Sequence, residues 1–454
     1  MTHHYYLDPF GCVKNQVDAE TMMAVLNQSN WAPADDPAAA DLIIINSCGF
    51  IESAKQESIN AVLGYRKQYP GKKILLAGCL AQRYAKELAE SLPEADAFFG
   101  NSDLTAIAKT ANSISGISTT DDTSPAAASS LPGNRPLLSL PGQAYVKISE
   151  GCNNRCSFCA IPNIRGPLRS HPIPQVLDEC RLLLDRGIRE LCLIGQDLGS
   201  YGADLAAANT VRSDAVSETN CRENSLPDLL EAIATLPGHF WVRFLYIHPD
   251  NFPRPILEIC RRDKRFLPYF DLPFQHGSAK ILRAMNRRLD AAAYLSLIND
   301  IRRTLPDAVI RSTFLTGFPG ETEEDFRKLL DFQARAELDW LGVFTYSREE
   351  DTPAYDMKPR VSKRTAAQRK TLIEEQQTAI TEGRMDRFIG QTLEVLVEET
   401  VDEEEGLYLG RLYCQAPEVD GSAVIRSDRP LLPGAFIQGR VFGRAGFDLE
   451  VTPV

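Results

Sequence analysis

Residues 152–159 read Cys152-Asn153-Asn154-Arg155-Cys156-Ser157-Phe158-Cys159. A strand expected over Ala144–Ile148 runs into this C-x3-C-x2-C loop, so the three thiols can converge on one small object. Among common metals, thiolates select zinc or iron–sulfur clusters. A structural zinc site needs a fourth Cys or His close by to complete its tetrahedron. None lies in the loop: His171 is 12 residues past Cys159, and Cys180 falls in an expected helix. Three ligands on a four-iron cube leave one iron open, as catalytic metal sites keep a position for substrate. Zinc and buried core cysteines are the competing readings, and the spacing favours a cluster.

Outward from the loop, strands are expected at Ala144–Ile148, Glu190–Ile194, Trp241–Tyr246, Tyr269–Pro273, Val309–Phe314 and Trp340–Phe344, with helical stretches between them. That repeat predicts a partial (β/α)6, TIM-like barrel over residues 142–380. A polar, low-complexity insertion at 203–223 interrupts it and carries Cys221 as a bystander. Upstream, Tyr5–Phe10, Asp41–Asn46 and Lys73–Ala77 alternate with helices near Val17–Asn30 and Glu52–Gln68, which predicts a parallel α/β sheet domain over 1–110. Residues 111–141 turn into Ser, Thr, Ala, Gly and Pro and read as a flexible linker. A helix at Lys363–Ile380 ends near Gly383. Five short alternating segments follow (Gln391–Glu398, Leu407–Leu412, Ala423–Ser427, Phe436–Val441 and Phe447–Val451), and they predict a small antiparallel β-barrel over 383–454.

The whole chain has 454 residues, enough for two or three cores. With 44% apolar and 24% charged residues it has globular composition. No apolar run is long enough to span a membrane, and the N-terminus lacks the layout of a secretory signal, so a cytoplasmic protein is expected. The net charge of −12 argues against non-specific grip on a polyphosphate backbone and is compatible with a basic protein partner. Eleven cysteines in a reducing compartment read as ligands, catalytic thiols or small core residues rather than disulfides.

The C-x3-C-x2-C loop with Phe158 before its last cysteine resembles the signature of the radical S-adenosylmethionine (SAM) superfamily. The resemblance implies a 4Fe-4S cluster on Cys152, Cys156 and Cys159, with SAM bound at the open iron and cleaved by one electron to methionine and a 5′-deoxyadenosyl radical. It also implies a partial TIM barrel carrying the cluster at the strands' C-terminal edge.

Cys12, Cys48 and Cys79 have no local spacing in common, yet each follows one of the first three expected strands. Parallel strands would bring all three thiols to one sheet edge, where ligand sites of α/β folds form. Gly11, Gly49 and Gly78 lie beside them and would let backbone approach a bulky group. These neighbours favour a second three-cysteine cluster over three buried small residues.

Both cysteine sets together with the C-terminal barrel resemble the methylthiotransferase family, whose order is an auxiliary-cluster domain, a radical SAM core and a TRAM domain. Three segments are similar to its ribosomal-protein branch. They are Gly11-Cys12-Val13-Lys14-Asn15-Gln16-Val17-Asp18, Asn46-Ser47-Cys48-Gly49-Phe50-Ile51-Glu52 and Ser157-Phe158-Cys159-Ala160-Ile161-Pro162-Asn163-Ile164-Arg165-Gly166. The resemblance implies two 4Fe-4S clusters, the second on Cys12, Cys48 and Cys79, and two uses of SAM, as methyl donor and as radical source. The implied substrate is the β-carbon of an aspartate in small-subunit ribosomal protein S12, free or in the assembling subunit, giving 3-methylthioaspartate. Reduced flavodoxin or ferredoxin is the implied electron donor, and the sulfur source is left open. The alternative is a tRNA adenosine C2 methylthiotransferase. That branch has Gln-Met-Asn after the first cysteine, which this chain lacks.

Candidate SAM contacts lie at the expected active edge: Phe158, Gln196 and Asp197 after the second core strand, Arg243 on the third and Arg311 on the fifth. His248, His276 and Gly317-Phe318-Pro319-Gly320-Glu321 lie there too, the last two with ordinary structural readings. Where relatives read Glu-Glu-Gly-Thr, this chain has Glu349-Glu350-Asp351-Thr352, so a glycine able to take positive φ is missing. Residues 384–454 hold 13 Asp or Glu against 7 Arg and no Lys, a net charge of −6. A tRNA-binding barrel should be basic, and an acidic one suits a basic ribosomal protein.

Overall fold

The computed structural model describes residues 2–117, 134–205 and 224–454. The first sheet is wholly parallel, in the order β2-β1-β3-β4-β5. Its strands are β1 (His3–Pro9), β2 (Trp31–Pro33), β3 (Leu42–Ser47), β4 (Lys73–Gly78) and β5 (Ala97–Phe99). Helices α1 (Val13–Asn27) and α4 (Ile107–Ile114) cover one face, packing Met22, Leu26 and Ile107 on Ile44 and Leu75. Helices α2 (Glu52–Gln68) and α3 (Cys79–Ser91) cover the other, packing Val62 and Leu88 on Ile43, Ile45 and Leu76. Burial on both faces explains why β3 opens with the unbroken apolar run Leu42–Ile45. The order reverses between β1 and β3, which opens a crevice at the carboxyl ends of the strands.

Six parallel strands form the second sheet, in the order β13-β12-β11-β10-β9-β6. They are β6 (Gln143–Lys147), β9 (Glu190–Ile194), β10 (Trp241–Phe244), β11 (Phe266–Asp271), β12 (Val309–Thr316) and β13 (Trp340–Thr345). A short hairpin of β7 (Ser149–Glu150) and β8 (Arg169–Ser170) follows β6. Ala144, Leu191, Val242 and Phe270 pack outward on the surrounding helices. Tyr145, Cys192, Trp241, Tyr269 and Trp340 face the other way and meet the C-terminal barrel.

That barrel is closed, in the order β14-β15-β16-β18-β17: Thr392–Asp402, Leu407–Leu412, Ala423–Arg426, Asp448–Pro453 and Phe436–Ala445. Its pairings are antiparallel except at one seam, where β16 and β18 run parallel because the chain crosses β17 before closing. Trp340 Nε1 donates to the Cys414 carbonyl at 2.7 Å, and Trp241 Nε1 donates to Glu394 at 2.9 Å, which seats the barrel in the concave face of the sheet. No helix among the described residues is long and apolar enough to cross a membrane.

Three boundaries differ from expectation. The long helix runs Lys363–Asp386, through Gly383, because Met385 is fully buried and Arg384 and Arg387 both pair with Asp339. The expected linker starts inside α4 and ends on structure. Arg135 is fully buried between Glu20 of α1 and Glu179 of α6 (Ile173–Asp185). Most of the insertion expected at 203–223, Cys221 included, lies outside the described residues.

Candidate functional site

The loop between β7 and β8 carries Cys152, Cys156 and Cys159. Gly151 takes φ +68°, and a Cβ there would lie 2.1 Å from the Pro167 carbonyl oxygen, so only glycine lets the loop enter. The backbone is then tied down between the thiols. Cys152 N donates to the Gly166 carbonyl at 3.1 Å, and Ser157 N to that of Met285 at 3.1 Å. Asn286 Nδ2 donates to the Arg155 carbonyl at 2.7 Å, and Asn154 Nδ2 to Asp197 Oδ2 at 2.7 Å. Cys156 Sγ lies 3.8 Å from His248 Nε2. Burial pushes Cys152 up to about 11 and Cys159 up to about 12, so both stay protonated at neutral pH until a metal takes them as thiolates. A loop that fixes its backbone and frees three thiols fits a cluster with one open iron.

The sites expected for SAM divide. Asp197 is buried behind the cysteine loop, where it also accepts from Asn251 Nδ2 at 2.7 Å and from His248 N at 3.0 Å. Gln196 precedes it, half-buried. Phe158 packs against the cluster of Ile281, Met285, Leu315, Phe318 and Ala354. Arg243 stands at the barrel interface. Its side chain leaves the concave face of β10 and donates to Glu190 at 2.7 Å and to the Tyr413 carbonyl at 2.9 Å. Arg311 likewise stands between Asp271 and Asp420 of the barrel, at 3.4 Å from each. His276 is fully buried, with Nδ1 accepting from Ser278 N at 2.9 Å. Glu321 accepts from Gly317 N and Phe318 N, closing the Gly317–Glu321 turn on itself.

Cys12, Cys48 and Cys79 follow β1, β3 and β4, which are neighbours, at the carboxyl edge beside the strand-order reversal. A Cβ on Gly11 would stand 3.0 Å from Cys48 Cβ, and one on Gly49 would stand 2.7 Å from the Cys79 carbonyl oxygen. The three loops therefore touch, as the flanking glycines suggested. Burial raises Cys48, and it raises Cys79 to about 12. Cys79 donates to Asn15 Oδ1 at 3.2 Å and accepts from Asn101 Nδ2 at 3.4 Å. This set also fits a thiolate-bound cluster. Among the described residues, no three His, Cys, Asp or Glu side chains close on a point as one metal ion would require.

Between the two cysteine sets lies a buried ionic cluster that sequence reasoning missed. Arg165 ends the short helix α5 (Ile161–Arg165) that leaves Cys159. Its guanidinium reaches Cys79 Sγ at 3.3 Å, Asp18 at 2.9 Å and Glu150 at 3.1 Å. Lys147 pairs with Asp18 and Glu150 from the other side. Burial opposes ionisation of Glu150, but Lys147 and Arg165 outweigh it and hold the carboxyl at about 2. Lys14, in the first turn of α1, is 6% exposed, and its ammonium sits 2.8 Å from the Tyr246 ring centroid. Tyr246 is held at φ +68°, a left-handed conformation rare for a bulky residue and typical of functional edges. Arg165 and Lys14 both lie in the quoted segments, but only the docking of the two sheets shows what they touch.

The chain matches three family models: Uncharacterized protein family UPF0004 over residues 4–100, the Radical SAM superfamily over 146–332, and the TRAM domain over 389–454. It is 46% identical to the ribosomal protein uS12 methylthiotransferase RimO of Treponema denticola, over 99% of this chain and 100% of that one. It is 39% identical to the protein of the same name from Desulforamulus reducens, over 97% of both chains. For that from Aquifex aeolicus the identity is 37%, over 97% of this chain and 94% of the relative. Among solved structures, it resembles the radical SAM methyltransferase TsrM from Kitasatospora setae, with cobalamin and a [4Fe-4S] cluster bound. The TM-score is 0.51 at 13% identity, over 78% of this chain and 77% of that one, a likeness of fold.

Proposed function

This chain belongs to the ribosomal protein uS12 methylthiotransferase family of radical SAM enzymes, and from that premise we propose that it methylthiolates the β-carbon of an aspartate in small-subunit ribosomal protein S12, giving 3-methylthioaspartate. The observation that carries this reading is near-full-length similarity to relatives of that name. Two sets of three cysteines, joined at Cys79 by Arg165 from the helix after Cys159, support it, as does a C-terminal barrel whose exposed turn Asp402-Glu403-Glu404-Glu405 suits a basic partner.

In this reading Cys152, Cys156 and Cys159 hold one 4Fe-4S cluster, and Cys12, Cys48 and Cys79 hold an auxiliary one. When bound, the first cluster would supply the electron for reductive cleavage of SAM, the radical chemistry needed to take hydrogen from a carbon with no acidic proton. Asp197 orients the cysteine loop through Asn154. Phe158, with its apolar neighbours, shields one side of that loop from water. Burial keeps His248 neutral, pushing it down to about 2, so its ring can stand beside Cys156 without adding charge. Arg165 balances the negative charge gathered at Cys79. In this reading Gln196, half-buried beside Asp197, would contact SAM. The protein acts in the cytoplasm, with reduced flavodoxin or ferredoxin as electron donor.

The reading is tested on anaerobically purified protein by two variants. Cys156→Ala should abolish 5′-deoxyadenosine formation. Cys79→Ala should keep SAM cleavage while stopping methylthio transfer. Normal transfer by Cys79→Ala would remove the auxiliary cluster from the account.

A further inference from the structure

We propose that Lys14 is the cation that receives the carboxylate of the substrate aspartate and so makes the site selective for an acidic side chain. The inference rests on the reading above, that the reacting carbon is an aspartate β-carbon.

Among the described residues, the cations Lys147, Arg165 and Arg83 between the two domains are each matched by acids. Lys147 meets Asp18 and Glu150, Arg165 meets the same two, and Arg83 meets Glu349. Lys14 differs: among the described residues its ammonium makes no ion pair or hydrogen bond, and sits on the Tyr246 ring with Cys12, Asp271 and Glu150 within electrostatic reach. Asp271, the nearby acid, is engaged by Arg311 and by the Tyr246 backbone N–H, which donates to it at 3.3 Å. A buried ammonium on an aromatic face keeps part of its charge unsatisfied and is free to exchange the ring for an anion.

Its position gives that charge a use. Lys14 lies two residues after Cys12, and Tyr246, beneath its ammonium, lies two residues before His248, whose Nε2 is 3.8 Å from Cys156 Sγ. Lys14 thus stands at the junction of the two cysteine sets. A carbon that loses hydrogen on one side and gains sulfur on the other must pass through this junction. For aspartate, the carboxylate is one bond from that carbon and enters the same partly buried space, where an unpaired anion is costly. The four-carbon stem of lysine lets the ammonium follow the carboxylate. An adenine base brings no anion to this point.

The test uses the full-length, cluster-reconstituted protein with ribosomal protein S12 carrying Asp, or Asn, at the target position. Lys14→Met should lower kcat/KM for the Asp protein at least about 30-fold, the usual scale for removing one partner of a buried charge pair, with iron content unchanged. Lys14→Arg should retain more than Lys14→Met. Lys14→Gln should narrow the preference for Asp over Asn, and that ratio carries the test should Lys14→Met lose iron. Unchanged kinetics and an unchanged Asp-to-Asn ratio in these variants would overturn the assignment. A wild-type protein that leaves S12 unmodified overturns the substrate reading itself, and this assignment with it.

Discussion

The guanidinium of Arg165 donates to Cys79 Sγ at 3.3 Å while its helix begins two residues after Cys159, so one five-residue helix joins the two cysteine sets. The cation is buried with Asp18 and Cys79, which cannot fall back on water, while Glu150 keeps about a fifth of its side chain exposed. A charge shared this way fixes the relative placement of the N-terminal sheet and the cysteine loop.

Replacing Arg165 by Met should therefore cost about 3–5 kcal/mol, because Asp18 and Glu150 lose half of their counter-charge. Denaturant unfolding measures that loss. Iron analysis should show the variant holding less iron than wild type, since hydrogen bonds to ligand sulfur support a cluster.

Glu190 carries a second prediction, in pH. It is fully buried and pairs with Arg243 of the core and Arg411 of the C-terminal barrel. Burial opposes its ionisation, but Arg411 and Arg243 prevail and hold its carboxyl at about 2, below the ordinary 4.5. A depressed folded value means that the stabilisation is present above about pH 4.5 and is lost as pH falls toward 2. Glu190→Gln should be less stable than wild type by about 3 kcal/mol at pH 7. In urea titrations that gap should shrink steadily below pH 4.5.

Asp351 yields a third. Asp351, where the resemblance led us to expect glycine, takes φ +60°, and its carbonyl accepts from Asn163 Nδ2 at 2.9 Å, bracing α5. The left-handed turn survives because Asp tolerates that conformation better than most side chains. Thermal unfolding should show Asp351→Gly within about 1 kcal/mol of wild type, and Asp351→Val about 2 kcal/mol less stable.

Most strands, and so the strand ends beside which the six cysteines lie, were legible because their signals are local. The loop spacing is short, and Cys12, Cys48 and Cys79 each follow an apolar run that ends within one residue of the observed strand's end. Short strands such as Trp31–Pro33 and Ala97–Phe99 carry too few residues for periodicity to register. For Arg243, strand position gives its edge but not its partner, which the barrel supplies through Tyr413. Arg165 and Lys14 depend on the docking of one parallel sheet on another, and no spacing within either segment encodes that. Gly383 looked like a helix stop, yet Met385 and the Asp339 pairs carry the helix past it.

The most direct measurement is the intact mass of ribosomal protein S12 from cells with and without this chain. The account predicts S12 heavier by one methylthio group in place of hydrogen when the chain is present, and unmodified S12 when it is absent. Identical S12 masses in the two strains, with methylthioadenosine lost from tRNA on deletion, would contradict it.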